Sequence, residues 1–478
     1  MCDEMATETP SWLNLEFVEK IMRKSKNDDS ICVLNIFIKP ATAKGDNYTS
    51  DMYRVLIEIS CKRGNQEVKK KKSLIIKVAP TGENIKRELI EKSKIFQTEI
   101  LMMTDTLKKM NSLLGPDHLI SGRIFYVQKE YPVFLVIEDL ATLGFRMADR
   151  QAGLDLSHCL LAMRGLARFH ASSVAVCEKM RQKSTYFIND FVHALSVKLG
   201  NYNAYHKPQQ FCARKWEFET RVARIKVHTC EMSAWRITKV QYPLLPFILG
   251  RVPTLGIFSR QHPPELTSFF TLGTKSLSKE IRKWPDLEKY AEKINKLSEK
   301  IYDKAAEISE CREDEFNVIN HGDFWVNNMM FRYNEEGKPI DHIFVDFQMC
   351  SYGSPANDLQ YFLNTSMDND VYENNKDMLL QEYLGTLSNM MKQFDCKTVP
   401  PNMEKLQKAL LEREFLAMTS TFTILPLVLL DKNEAKDLDE IMGKDGNEYN
   451  STAFENEIYR KVISERIPIY DQLGLLDL

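Results

Sequence analysis

The residues best suited to chemistry in this chain are His321-Gly322-Asp323-Phe324-Trp325-Val326-Asn327-Asn328, followed further on by Val345-Asp346-Phe347. Moving a phosphoryl group from ATP to a hydroxyl requires a carboxylate beside the acceptor's proton and oxygen ligands for a Mg2+ that bridges the phosphates. An HxDxxxxN spacing followed by a strand-terminal Asp supplies that set. Asp323 is placed to orient the hydroxyl and accept its proton, and Asn328 and Asp346 to hold the metal. An isolated HGD is often only a loop whose polar side chains cap local backbone. Here the strand-like flanks VIN, NMMF and HIFVDF fix several spaced positions together, which favours the chemical reading. His321 reads as a brace for the loop rather than a proton carrier.

Such a site needs a nucleotide cradle, a lysine on a strand and an acid on the following helix to pair with it. Lys77 lies in LIIKVAP, and Glu99 lies 22 positions later in IFQTEILMM. Glu88 and Glu91 are rival partners; the apolar neighbourhood of Glu99 makes it the better one. The cradle is expected at Gly45-Asp46-Asn47-Tyr48-Thr49-Ser50, where Gly45 permits a tight turn and backbone N–H groups with Asn47 and Ser50 can face phosphate. A plain hairpin turn is the competing reading of that stretch. The connection LVIEDL, an apolar strand ending in acids, offers backbone groups to adenine, with Glu138 and Leu140 as its candidate residues.

The elements that must position these residues follow from periodicity. Residues 30–80 alternate apolar and polar positions in three β-rich runs separated by AKGDN and KRGNQ, which predicts antiparallel hairpins. The lysines Lys69–Lys72 suggest a solvated strand end rather than a nucleic-acid patch. From Asn84 to Asn111 the apolar residues recur at helical spacing, and two short strands are expected at Ser121–Gln128 and Pro132–Glu138. Beyond Gly153 the pattern is long and helical, interrupted by the turn-and-strand island Asn317–Phe347. The expectation is an α+β chain with a helical extension at 1–29, a small sheet lobe at 30–138 and a larger helical lobe at 139–478. Cys212–His262 stands apart, with nine Lys/Arg against three acids and neither Asp nor Asn. A specialised insertion, a substrate lid and a segment from an imperfect gene model are all compatible with it, so it carries no function.

Composition excludes other classes. The 478 residues are 44% hydrophobic and 27% charged, an ordinary globular balance rather than a disordered or fibrous one. A net charge of −2 offers no field for nucleic acid or an acidic membrane. The ten cysteines are scattered without a CxxC pair, as in a reducing compartment, and are expected to be mostly buried thiols. The acidic N-terminus does not resemble a signal peptide, and the longest apolar runs, Tyr242–Leu249 and Phe422–Leu430, are far below the ~20 residues that span a bilayer. These features point to the cytoplasm, with no membrane span and no obligate protein partner evident. The sequons at Asn47, Asn364 and Asn450 are then chance.

GDNYTS, LIIKVAP, Phe96–Glu99, LVIEDL, LARFHASS, INHGDFWVNNMMF and VDFQMCSYGSPANDLQYFL together resemble the insect ecdysteroid kinase-like family, with its CHK kinase-like domain. That group is related to choline kinases and aminoglycoside phosphotransferases. The resemblance implies a bilobal protein-kinase-like fold and an ATP- and Mg2+-dependent phosphotransferase. Ecdysteroids or hydroxylated xenobiotics are the acceptor classes it suggests. By position it implies Asp323 as base, Asn328 and Asp346 as metal ligands, Lys77 with Glu99 as the phosphate-positioning pair, and Asp358 as an acid supporting the catalytic loop. A choline- or aminoglycoside-type kinase and a catalytically silent nucleotide-binding protein are the alternatives. Protein substrates are disfavoured, because no APE motif follows Asp346 and the stretch to Gly353 is too short for an activation loop.

Overall fold

The period-2 pattern of residues 30–80 builds β1 (Cys32–Pro40), β2 (Asp51–Arg63) and β3 (Gln66–Val78). With β4 (Ile124–Gln128) and β5 (Phe134–Glu138) they form a five-stranded antiparallel sheet of order β1-β2-β3-β5-β4. The computed structural model describes residues 9–42, 49–64, 66–81, 85–203, 216–219, 224–227, 256–431, 433, 434, 440, 441, 449 and 452–477.

Because successive side chains on a strand point to opposite faces, Leu74, Ile76 and Val78 of β3 join Phe134 and Val136 of β5 on one face. Helix α1 (Leu15–Lys26) covers that face with Val18, Ile21 and Met22. The Asn14 side chain caps its start by accepting from Phe17 N–H at 3.0 Å. The other face receives α2 (Ile85–Ser93) and α3 (Ile95–Leu101), whose Ile90, Ile95, Phe96 and Ile100 pack on Leu135. Alternation therefore sends Lys77 to the face where α3 lies. Helix α3 runs on through a π turn at Met102–Thr106 into α4 (Leu107–Leu114). Lys69–Lys72 sit on the part of β3 that overhangs β5, paired only with Ile57–Ser60 of β2. Lys69 and Lys71 are exposed there, as a solvated strand end requires.

The larger lobe is built on the buried half of α5 (Leu156–Asn203) and the helices that follow residue 256, around one large apolar core. The strand island forms as expected. β9 (Val318–Asn320) pairs with β12 (Ser351–Gly353), and β10 (Met329–Tyr333) pairs with β11 (Pro339–Phe344) and β6 (Phe145–Arg146). Within the basic stretch, a backbone hairpin, β7 (Trp216–Glu219) with β8 (Arg224–Val227), and the segment from Gly256 are described; the rest lies outside the described residues. Of the seven described cysteines three are buried, while Cys32 and Cys311 are exposed. The expectation of mostly buried thiols is thus too strong. No described helix is long and apolar enough to cross a membrane.

Candidate active site

Lys77 is buried beneath the sheet, flanked across the ladder by Met52 and Leu135. Its Nζ lies 2.8 Å from Glu99 Oε2 on α3 and 2.6 Å from Asp346 Oδ1 at the end of β11. One ammonium thus joins the two lobes. Burial opposes its charge, but Asp346 and Glu99 more than offset that and hold it protonated, well above the ordinary lysine range. Burial pushes Glu99 up to about 7 despite the pull of Lys77, and the Asp346 charge adds to the rise. The rivals Glu88 and Glu91 form exposed pairs with Lys92 and Arg87 on α2.

Asp346 sits at φ 65°, ψ 69°, a left-handed conformation that costs a non-glycine residue about 1–2 kcal/mol. That turn aims its carboxylate at Lys77 and also lets Oδ2 accept from Gln348 Nε2 at 3.2 Å. Gln348 Oε1 in turn accepts from Thr49 Oγ1 at 3.0 Å, tying the end of the expected phosphate loop to the metal-candidate acid.

Asp323 follows Gly322, whose φ of +81° and lack of Cβ are both required, since a Cβ there would fall 1.8 Å from the Met349 carbonyl oxygen. Asn328 Nδ2 donates to the Asp323 carbonyl oxygen (2.9 Å) and to Oδ2 (2.7 Å). The Tyr361 hydroxyl donates to Asp323 Oδ1 at 3.0 Å. Burial and the Asp346 charge push Asp323 up to about 7, with the Tyr361 and Asn328 hydrogen bonds pulling the other way.

Behind the loop, buried Asp358 accepts from His321 N–H (2.7 Å), Gly322 N–H (2.8 Å) and the His170 ring at Nε2 (3.1 Å). His170 is fixed through Nδ1 to the Tyr383 hydroxyl at 2.8 Å. His321 Nε2 meets the Val345 carbonyl at 3.0 Å, and burial lowers the ring's pKa, so a neutral imidazole donates there. It joins the catalytic loop to the residue before Asp346, as a brace would.

Asp323 contacts Asn328, and Lys77 contacts Glu99 and Asp346; the two groups are joined where the Val345 N–H donates to the Asn328 carbonyl at 3.0 Å, with His321 and Asp358 beneath them. Ser50 is buried beside Thr49, while Gly45 and Asn47 lie outside the described residues. Glu138 is drawn to Arg123, whose Nε reaches its Oε1 at 3.1 Å, and its N–H donates to the Arg123 carbonyl. Leu140 is buried in the short turn that follows. The sequence candidates above do not include Tyr361, which is buried in the larger lobe as are Phe362, Phe415, Met418 and Phe422. Those four are core, but Tyr361 reaches the site. The available signal was its position three residues after Asp358, which places both on one face of the helix Ala356–Thr365. His170, Tyr383 and Gln348 were missed as well.

Three acids share this site with a single lysine, and two of the three are pushed up to about 7, a deficit of positive charge that a divalent cation would offset. Among the described residues no three His, Cys, Asp or Glu side chains form a metal cage.

The fold and these residues define a two-lobed α+β chain of the kinase-like class. The ecdysteroid kinase-like family model matches residues 44–218 and 254–396, and the chain belongs to that family. The break in the match falls within the basic stretch. No curated protein matches the chain. Among solved structures, it is similar to amicoumacin kinase hAmiN in complex with AMP-PNP, Ca2+ and Ami, at 12% identity and a TM-score of 0.36 over 94% of each chain. A second is the streptomycin–ATP–APH(2")-IIa ternary complex, at 12% identity and a TM-score of 0.31, covering 88% of this chain and 98% of that one.

Proposed function

We propose that the chain is an ATP-dependent kinase that transfers the γ-phosphoryl group to a hydroxyl of a small, partly apolar acceptor, with ecdysteroids and hydroxylated xenobiotics as the classes its family suggests. The observation that carries this reading is the buried Lys77 bridging Glu99 and Asp346 across the lobes, beside an Asp323–Asn328 pair. Asp323 orients the acceptor hydroxyl and takes its proton as the oxygen bonds to the γ-phosphorus. The bond from that phosphorus to the β–γ bridging oxygen breaks, and ADP departs with the electron pair. Lys77 positions phosphate, with Glu99 holding the lysine in place. Asn328 Oδ1 and Asp346 would hold Mg2+, which supplies charge neutralisation when bound. The linker at Glu138–Leu140 is assigned to adenine and the loop ending at Ser50 to phosphate.

The test is ATP turnover and product mass with purified full-length protein against ecdysteroids, choline and hydroxylated toxins. In Asp323→Asn, transfer should fall by about 10²–10⁴-fold while ATP binding persists. Unchanged turnover in that variant would remove Asp323 as the base.

A further inference from the structure

Three residues follow Asp346 in one short turn, Phe347–Met349, and their side chains leave it in different directions. The Phe347 ring enters the core of the larger lobe and lies 5.1 Å from the His321 ring. Met349 packs with Ile95, Phe96 and Leu135 against the small lobe, and the Phe347 N–H donates to Glu99. Gln348 is buried between these anchors and turns to the loop that ends at Ser50. Its Oε1 accepts from Thr49 Oγ1 at 3.0 Å, and its Nε2 donates to Asp346 Oδ2 at 3.2 Å.

We propose that Gln348 is a positioning residue that orients Asp346 for a divalent cation and makes that orientation depend on the Thr49 hydroxyl, an inference that rests on the kinase reading above. Three observations carry it. The first is the geometry of the carboxylate. Lys77 Nζ takes Oδ1 at 2.6 Å, but the terminal torsion of an aspartate is broad, and one contact does not fix it. The Gln348 amide on Oδ2 supplies the second contact, from a neutral group that adds no competing charge. Hydrogen bonds of this kind to a ligating carboxylate are worth about 10–100-fold in metal affinity.

The second is the polarity of the amide. Its two ends are not equivalent, because only the NH2 can meet a carboxylate and the carbonyl oxygen needs a donor. Thr49 Oγ1 is that donor, so the hydroxyl selects the amide orientation in which Nε2 faces Asp346. Without it the carbonyl oxygen is left unpaired in a buried place, which is unfavourable. The third is register. Asp51 and Met52 of β2 pair with Val78 and Lys77 of β3, so Thr49 stands where the chain enters the sheet at the lysine's end. Thr49 also closes the stretch assigned to phosphate, 299 positions from Gln348. Seating of that stretch and placement of the metal acid are then a single event.

The experiment titrates the full chain with AMP-PNP by calorimetry, once with saturating Mg2+ and once with EDTA. The quantity read is the gain in affinity that the metal confers. Gln348→Met keeps the side chain's length and loses both hydrogen bonds, and should reduce that gain about tenfold or more. Thr49→Val keeps the shape and loses the donor, and should reduce it about fivefold. The double variant should lose no more than Gln348→Met alone, because the hydroxyl acts through the amide. Thr49→Ser returns a hydroxyl and should recover the loss seen in Thr49→Val. A merely structural role would weaken AMP-PNP equally with and without the metal and leave the gain unmoved. A gain within about twofold of wild type in either single variant, losses that multiply in the double variant, or no recovery in Thr49→Ser would overturn the positioning role while leaving the kinase reading intact. A wild type that binds no AMP-PNP, or gains nothing from Mg2+, would overturn the kinase reading itself.

Discussion

Replacing Lys77 with Met removes the one buried cation that two carboxylates share while preserving most of the apolar stem. Removing one partner of a buried ion pair costs about 3–5 kcal/mol, because the remaining charge is left uncompensated. Asp346 retains 20% side-chain exposure and Glu99 only 4%, so water relieves the first and not the second, which argues for the lower end, about 3 kcal/mol. For a domain of 150–250 residues, 1 kcal/mol moves Tm by roughly 2–4 °C, so a fall of about 6–12 °C is expected.

The pH dependence has a definite sign. Glu99 is raised from its ordinary 4.5 to about 7 in the folded chain. The folded state then binds more protons than the unfolded one between those values, so stability declines as pH rises through that window. Without Lys77, Glu99 holds its proton to still higher pH, and the variant continues to lose stability above about 7 where the wild type has levelled off. Its deficit should therefore be larger at pH 8 than at pH 6, by about 1.4 kcal/mol for each unit of additional pKa shift. Thermal unfolding of both proteins at the two pH values measures this. A variant as stable as the wild type at pH 8, or a deficit that shrinks as pH rises, would refute the account of Lys77 as a shared counter-ion.

Gly322→Ala should lose at least about 1–2 kcal/mol from backbone strain alone and lower transfer more than nucleotide affinity, because the Met349 carbonyl must move; wild-type kinetics would count against the geometry of the loop. Asp358→Ala deprives His321 N–H, Gly322 N–H and the His170 ring of their acceptor, and a stability loss of about 3 kcal/mol or more by denaturant titration is expected. Asp323 must be ionised to take a proton, so kcat/KM should fall with decreasing pH along a limb at or below about 7, Mg2+ moving it down. A flat profile from pH 5 to 8 would exclude that carboxylate as the titrating base.

The parts of the site legible in the sequence are those whose chemistry and spacing are local. HxDxxxxN places Asp323 and Asn328 within one loop, and the alternation of LIIKVAP puts Lys77 on the face opposite Ile76. Glu99 could be preferred to Glu88 and Glu91 because only its neighbours are apolar enough to bury it. What stayed hidden depends on contacts far apart in the chain. His170 meets Asp358 across 188 positions and Tyr383 across 213, and Thr49 meets Gln348 across 299. Nothing in LARFHASS distinguishes a histidine bound for a buried carboxylate from one packed in a helix. The placement of Gly256–Gln261 was hidden for another reason: the segment closes a stretch whose composition departs from the rest of the chain, and its anchoring by Tyr302 depends on a contact 43 positions away.

Asp139, buried at the start of the linker, accepts from Arg54 Nε of β2 at 2.9 Å and from Ser73 Oγ of β3 at 2.5 Å. Its other oxygen accepts the Ala141 N–H at 3.2 Å, which begins the turn Leu140–Leu143 before Gly144 at φ 84°. Two inner strands are thereby riveted to the linker upstream of that turn. The sheet is tied to the larger lobe a second time, where the Phe344 N–H donates to the Ile120 carbonyl at 3.2 Å and Met110 and Leu114 enter that lobe's core, so the two lobes are joined at two places rather than by the linker alone.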